Sequence, residues 1–145
     1  MNFRTVCLRG SASEIASQIR WDDTARIDAI WAGRMLSMVN AIVPALVWKR
    51  DHGVMTMEIH EVREAFRLRS IIALASDEDV PEPLRRPVAV YLSSLAGYRA
   101  EDGDNQDSHV VEQHGWLEMT LNERISGLLT DEKPETTQTA QKSVG

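Results

Sequence analysis

The stretch Ile27-Asp-Ala-Ile-Trp-Ala-Gly-Arg-Met-Leu-Ser-Met-Val-Asn-Ala-Ile-Val-Pro-Ala-Leu-Val47 decides how this chain folds. Ile27, Ile30, Trp31, Met35, Met38, Ile42, Leu46 and Val47 recur at three- and four-residue steps, the period of a helix that turns one stripe toward a core. Just upstream, Asp22, Asp23 and Thr24 offer the side-chain oxygens and negative charge that suit a helix start. The spacing predicts a long central helix buried along Ile30, Trp31, Met38, Ile42 and Leu46. Pro44 lies inside it, without a backbone donor and crowding the preceding turn, so a kink or a break into two helices is expected there. His52 and Gly53 follow, the glycine suited to a left-handed cap.

Working outward, Phe3 to Leu8 nearly alternates apolar and polar residues and reads as an extended piece. Ser11 and Glu14 stand at capping-box spacing before a short helix from Ala12 to Ile19. Downstream, Thr56 can cap a helix with apolar positions Ile59, Val62 and Phe66, and Ser70 to Ala75 supplies another short one. Pro81, Pro83 and Pro87 precede or begin a stripe of Leu84, Val88, Tyr91, Leu92 and Leu95, which fits a kinked or late-starting helix closed by Gly97. A last helix is expected from about Asp107 to Leu129, through Val110, Val111, Trp116, Leu117, Leu121, Ile125 and Leu128. Trp31 and Trp116 fall on apolar stripes and read as core. Trp21 and Trp48 border charged residues, at a core margin or on a binding surface, with core the better reading. From Asp131 the chain turns polar without periodicity and reads as a disordered tail. No alternation is long enough for a sheet. The expectation is an all-α fold, a compact bundle of five to seven helices around a long central one. Residues 1–20 form an N-terminal extension with a short helix, 21–130 the all-α domain and 131–145 the tail.

The chain's 145 residues, 43% of them hydrophobic, suffice for one core of ordinary size. A net charge of −6 argues against a surface that embraces nucleic-acid phosphate all round. The charge is uneven: residues 1–76 carry 10 Lys/Arg and 8 Asp/Glu, residues 77–145 carry 6 and 14. Two clusters make most of the difference, Asp77, Glu78, Asp79 and Glu82 around a Pro-containing turn, and Glu101, Asp102, Asp104 and Asp107 around Gly103. They are either solvated loops or a face that attracts a cationic protein segment, with Val80, Leu84 and Tyr98 supplying apolar contact. Arg63, Arg67, Arg69, Arg85 and Arg86 are the densest basic grouping and the candidate DNA contacts; ion pairs with Glu61 and Glu64 explain them equally well.

The single cysteine, Cys7, can close no internal disulfide and reads as a buried, inert thiol, consistent with a reducing, cytoplasmic setting. No signal peptide is expected at Met1 to Arg20, and no apolar run is long enough to insert in a membrane. Phosphate-loop and dinucleotide glycine motifs are missing, so nucleotide hydrolysis is not expected. His109 and His114 are five residues apart, off one helical face, unlike the four-residue step of a zinc helix. His52 and His60 have no fixed partner in the pattern. No catalytic residue, cofactor or metal is expected.

Three stretches together resemble the type IV coupling proteins of conjugation and type IV secretion, the TraG/TraD-like ATPases, and most closely their DotL/TrbC branch. They are Ala41-Ile-Val-Pro-Ala-Leu-Val-Trp-Lys-Arg-Asp51, Pro83-Leu-Arg-Arg-Pro87 leading to Tyr91-Leu-Ser-Ser-Leu-Ala-Gly-Tyr98, and Glu112-Gln-His-Gly-Trp-Leu-Glu-Met119. The resemblance spans about Trp21 to Leu129. It implies the all-α domain inserted in the family's RecA-like motor, without the motor's own motifs. After Met119 the chain departs from the family, passing through Asn122-Glu-Arg-Ile-Ser-Gly to its polar tail. Implied by this resemblance are recognition of secreted protein substrates or of a relaxase, DNA being the alternative partner, alongside a motor domain and other secretion-system components. Implied too is a place in a larger complex at the cytoplasmic face of the bacterial inner membrane. Asp77, Glu78, Asp79, Glu82, Leu84, Tyr98, Glu101 and Asp102 are the candidate partner-facing residues.

Overall fold

The computed structural model describes residues 2–20 and 29–131. These form seven α-helices: α1 (Phe3–Arg9), α2 (Ala12–Ile19), α3 (Ala29–Asp51), α4 (Ile59–Ala65), α5 (Leu68–Ala75), α6 (Glu82–Ser93) and α7 (Ser108–Asp131). A 3₁₀ turn (Ala100–Asp102) lies between α6 and α7, and no strand occurs among the described residues. The all-helical expectation holds. Trp21, Ile27 and the expected helix start at Asp22 to Thr24 lie outside the described residues, as does the tail beyond Asp131.

The central helix α3 runs through Pro44 as one element and does not break into two helices, the second of the two outcomes expected there. Proline here forfeits the bond that the Asn40 carbonyl would accept, and Asn40 is exposed, where water can replace that bond. On either side Ile42, Val43, Ala45 and Leu46 are buried, and this packing offsets the local cost of about 3 kcal/mol. By length and composition alone α3 is apolar enough to cross a membrane. In the fold, however, its Met35, Met38, Val39, Ile42 and Leu46 form the middle of the core, packed by α2, α6 and α7. The expected stripe fails at its start: Ile30 is 75% exposed and Trp31 only half-buried, because the buried face begins one turn later at Met35.

Phe3 to Leu8 is helical, contrary to the extended reading. Asn2 caps α1 by accepting the Thr5 N–H at 2.9 Å, and Phe3, Val6 and Cys7 sit at helical spacing with their side chains buried. Arg50 of α3 anchors the end of α1, donating to the Cys7 carbonyl at 2.9 Å and the Gly10 carbonyl at 2.7 Å. α2 has the expected capping box, Ser11 Oγ accepting from Glu14 N at 3.1 Å and Glu14 Oε1 from Ser11 N at 3.0 Å. Its far end is held from α7, where Arg124 donates to the carbonyls of Ile19 and Arg20, each at 3.1 Å. Both arginines place positive charge where helix dipoles are negative.

Gly53 takes the expected left-handed backbone, φ 74°, after α3. Thr56 does not cap α4: its hydroxyl bonds Glu61, and Glu61 Oε1 accepts the Glu58 N–H at 3.3 Å. Met57 holds φ 61° with its side chain fully buried, so packing of that side chain sustains an unfavourable backbone in the α3–α4 loop. Pro81 and Pro83 sit at the start of α6, where missing donors cost little. His114, 1% exposed, is a junction between helices. Its Nε2–H donates to the Phe66 carbonyl at 2.7 Å, which leaves Nδ1 to accept the Tyr91 hydroxyl, also at 2.7 Å.

Candidate functional site

Three helices leave a groove of about 730 Å³ between the start of α3, the end of α6 and the first half of α7. Along α7 the lining residues are His109, Glu112, Gln113, Trp116 and Leu117, one face of a helix. α6 contributes Tyr91, the turn just after it Leu95, and α3 contributes Ile30, Trp31, Arg34 and Ser37. The floor is apolar, with Tyr91, Leu95 and Leu117 buried. Trp116 is 54% exposed, not core as its place on an apolar stripe suggested, and with Ile30 it forms an apolar rim. The two tryptophans are linked at one end of the groove. Trp31 Nε1 donates to Thr120 Oγ1 at 3.1 Å, and that hydroxyl donates to the Trp116 carbonyl at 2.8 Å.

The other end meets an ordered acidic loop. Gln106, nearly buried, accepts from Arg99 N at 3.1 Å and donates to the Arg99 carbonyl at 2.7 Å and the Gly103 carbonyl at 2.9 Å. Gln113 clamps the end of α6 likewise, through both backbone groups of Ala96. Gln106 thus ties the loop to itself and Gln113 ties the start of the loop to α7, and no local sequence pattern singles them out. Asp107 accepts the His109 N–H at 2.8 Å, so the loop's last acid adjoins the first lining residue of the groove.

The sequence-based candidates divide accordingly. Glu101 and Asp102 lie in this loop, Glu101 paired with Arg99 at 2.8 Å and its carboxyl held below the usual range mainly by that hydrogen bond. Tyr98 is half-buried against the core, and burial raises its hydroxyl's pKa. Asp77, Glu78, Asp79 and Glu82 flank the opposite end of α6, a 12-residue helix and so about 18 Å long. The two acidic clusters are thus at opposite ends of one helix. Asp77 is engaged by Lys49 at 2.9 Å, which lowers its pKa, and it accepts the Asp79 N–H at 3.1 Å. Leu84 is half-buried, and Val80 is wholly inside the core and offers no contact area to a partner.

Four of the five candidate arginines already have partners within the fold. Arg63 donates to Ser126 of α7 at 2.8 Å, Arg67 lies 3.4 Å from Glu64, and Arg85 donates to the Val80 carbonyl at 2.8 Å. Arg86 pairs with Glu82, and Arg69 is exposed. Two other histidines do have partners: His52 stacks on Trp48 with centroids 4.0 Å apart and bonds its carbonyl, and His60 lies 3.6 Å from Glu58. Ligand atoms of Glu58, His60 and Glu61 come within 4.8 Å of one another at the start of α4, a surface arrangement that Thr56 shares through Glu61. Cys7 is buried, and burial pushes its thiol up to about 12, as an inert thiol requires.

In an alignment of 112 residues that covers 68% of the chain, it is 30% identical to Type 4 coupling protein DotL of Legionella pneumophila. The match covers 14% of that protein's length. The chain therefore carries a domain related to part of a type IV coupling protein. No family model matches the chain, and no solved structure matches it.

Proposed function

We propose that this chain serves as a recognition domain of a type IV secretion or conjugation apparatus, holding protein segments in the groove between α3, α6 and α7. Those segments belong to exported protein cargo or to a relaxase, and the domain works at the cytoplasmic face of the inner membrane beside a motor that hydrolyses nucleotide in its stead. The observation that carries the reading is the groove itself. A rim with Trp116 54% exposed and Ile30 75% exposed, over a floor of buried apolar side chains, is costly in water unless a partner covers it. Its walls include Tyr91, Leu95, Glu112 and Trp116, which belong to two of the three stretches resembling coupling proteins. The similarity to the Legionella coupling protein supports the secretion setting.

Labelled export-signal segments and relaxase, titrated against the full chain, test the reading. Saturable binding at low micromolar concentration, weakened at least about tenfold by Trp116→Ala, is expected. Absence of binding by any cargo segment, or binding indifferent to Trp116, overturns it.

A further inference from the structure

Resting on that reading of the groove, we propose that its occupant is a helical segment of a protein partner that presents a large apolar residue and, one turn away, a lysine or arginine. The groove is asymmetric along α7. Trp31, Trp116 and Ile30 make one end apolar. At the other end Glu112 is exposed on the rim, beside the loop that carries Glu101, Asp102, Asp104 and Asp107. Arg34, from α3, is the one lysine or arginine among the described residues that line the groove, whereas Glu112 and the four acids of the adjoining loop bring an excess of carboxylates to the other end. An apolar side chain therefore suits the tryptophan end, and a cation the other.

The spacing of the two subsites follows from α7. Glu112 and Trp116 are four residues apart on one helix, about 6 Å along its axis, close to the 5.4 Å pitch of a second helix laid beside it. A residue pair separated by one turn on that second helix reaches both subsites. The backbone argues for a helix too. The walls are built from helices and offer no strand edge, so an extended segment would find no row of donors and acceptors to pair with, whereas a helix satisfies its own.

The test uses the full chain and synthetic helical peptides of about 18 residues, long enough to hold some helix in water. One presents Phe and Lys four residues apart; a second has Glu in place of Lys; a third moves Lys to the opposite face. Tryptophan emission reports binding, since the peptides contain none. The first peptide should bind on the order of tenfold more tightly than the second at low salt, the gap narrowing as salt is added. Glu112→Lys should reverse the preference between them. Equal affinity for all three peptides, or an unchanged preference in Glu112→Lys, overturns the proposal. Authentic cargo that binds in the groove regardless of its charge overturns it while leaving the recognition reading intact; cargo that fails to bind at all overturns both. Concentration-dependent self-association removed by Trp116→Ala would make the occupant a second copy of this chain and overturn it as well.

Discussion

Tyr91→Phe removes one hydroxyl from the contact that joins α6 to α7, and its consequence can be worked from the geometry. The Phe66 carbonyl can only accept, so it takes the Nε2–H of His114 at 2.7 Å and fixes the tautomer. Nδ1 is then an acceptor whose donor is the Tyr91 hydroxyl at 2.7 Å. His114 is 1% exposed, so water cannot readily replace that donor. Leaving a buried acceptor unpaired costs about 1–3 kcal/mol. For a domain of this size, 1 kcal/mol is worth about 4 °C, which puts the loss in Tm at about 4–12 °C. On a His114→Phe background the acceptor is gone, and Tyr91→Phe should cost at least about 1 kcal/mol less. Urea unfolding followed by circular dichroism gives all four corners of the cycle. Additivity within about 0.5 kcal/mol, or an unchanged Tm in Tyr91→Phe, would refute the relay. The same site predicts a pH dependence. Burial lowers the pKa of His114 in the folded chain, so in the window below its usual value of 6.5 the unfolded state binds the extra proton first. Stability is full above that window and declines as pH falls toward the lowered folded value, a slope that His114→Phe should remove. Glu118, 3.7 Å from the ring and raised in pKa mainly by burial, acts in the opposite sense as pH rises above the usual carboxylate range.

Leu46→Ala empties part of the core beside Ile42 and Val43 and should cost about 2–5 kcal/mol in denaturant unfolding; an effect within error would remove Leu46 from the core. Arg50→Met deletes two charge-assisted bonds to the carbonyls of Cys7 and Gly10, so α1 should loosen by about 2–4 kcal/mol, seen as faster amide exchange at Val6 and Cys7. Unchanged exchange there would show that α1 is held by packing alone. Trp116→Ala, by contrast, should cost well under the ~3–5 kcal/mol of a core aromatic, because 54% of the residue is already in solvent; a core-sized loss in thermal unfolding would contradict the exposed rim.

The helices that announce themselves in the sequence are those whose ends carry local chemistry. Ser11 and Glu14 mark the start of α2 because the capping box is a three-residue event, and Gly53 marks the end of α3 because its backbone is left-handed. α1 is hidden: seven residues show barely two turns, and three of its six residue-to-residue steps switch between apolar and polar, which mimics a strand. That α3 does not break at Pro44 has a related reason. The local cost of proline is readable, whereas the burial of Ile42, Val43 and Leu46 that offsets it depends on α2, α6 and α7. Periodicity likewise placed Ile30 and Trp116 on apolar stripes without saying whether a neighbour reaches them. Both line the groove, where no neighbouring helix covers them. The acidic loop was legible as charge, but not its position, which Gln106 and Gln113 set through contacts to Arg99 and Ala96. The stretches Tyr91 to Tyr98 and Glu112 to Met119, which the resemblance singles out, both contribute to the lining of the groove.

The most direct measurement follows the side-chain resonances of Trp31 and Trp116 in the labelled full chain as an export-signal segment is added, with the backbone amides of Ser37, Leu95 and Glu112 as companions. Recognition in the groove between α3, α6 and α7 predicts that these signals shift together and saturate with one affinity, while Asp77 to Glu82 and Arg63 to Arg69 stay in place. Shifts confined to the Asp77 turn or to the arginines, with both tryptophans unmoved at saturation, would contradict it.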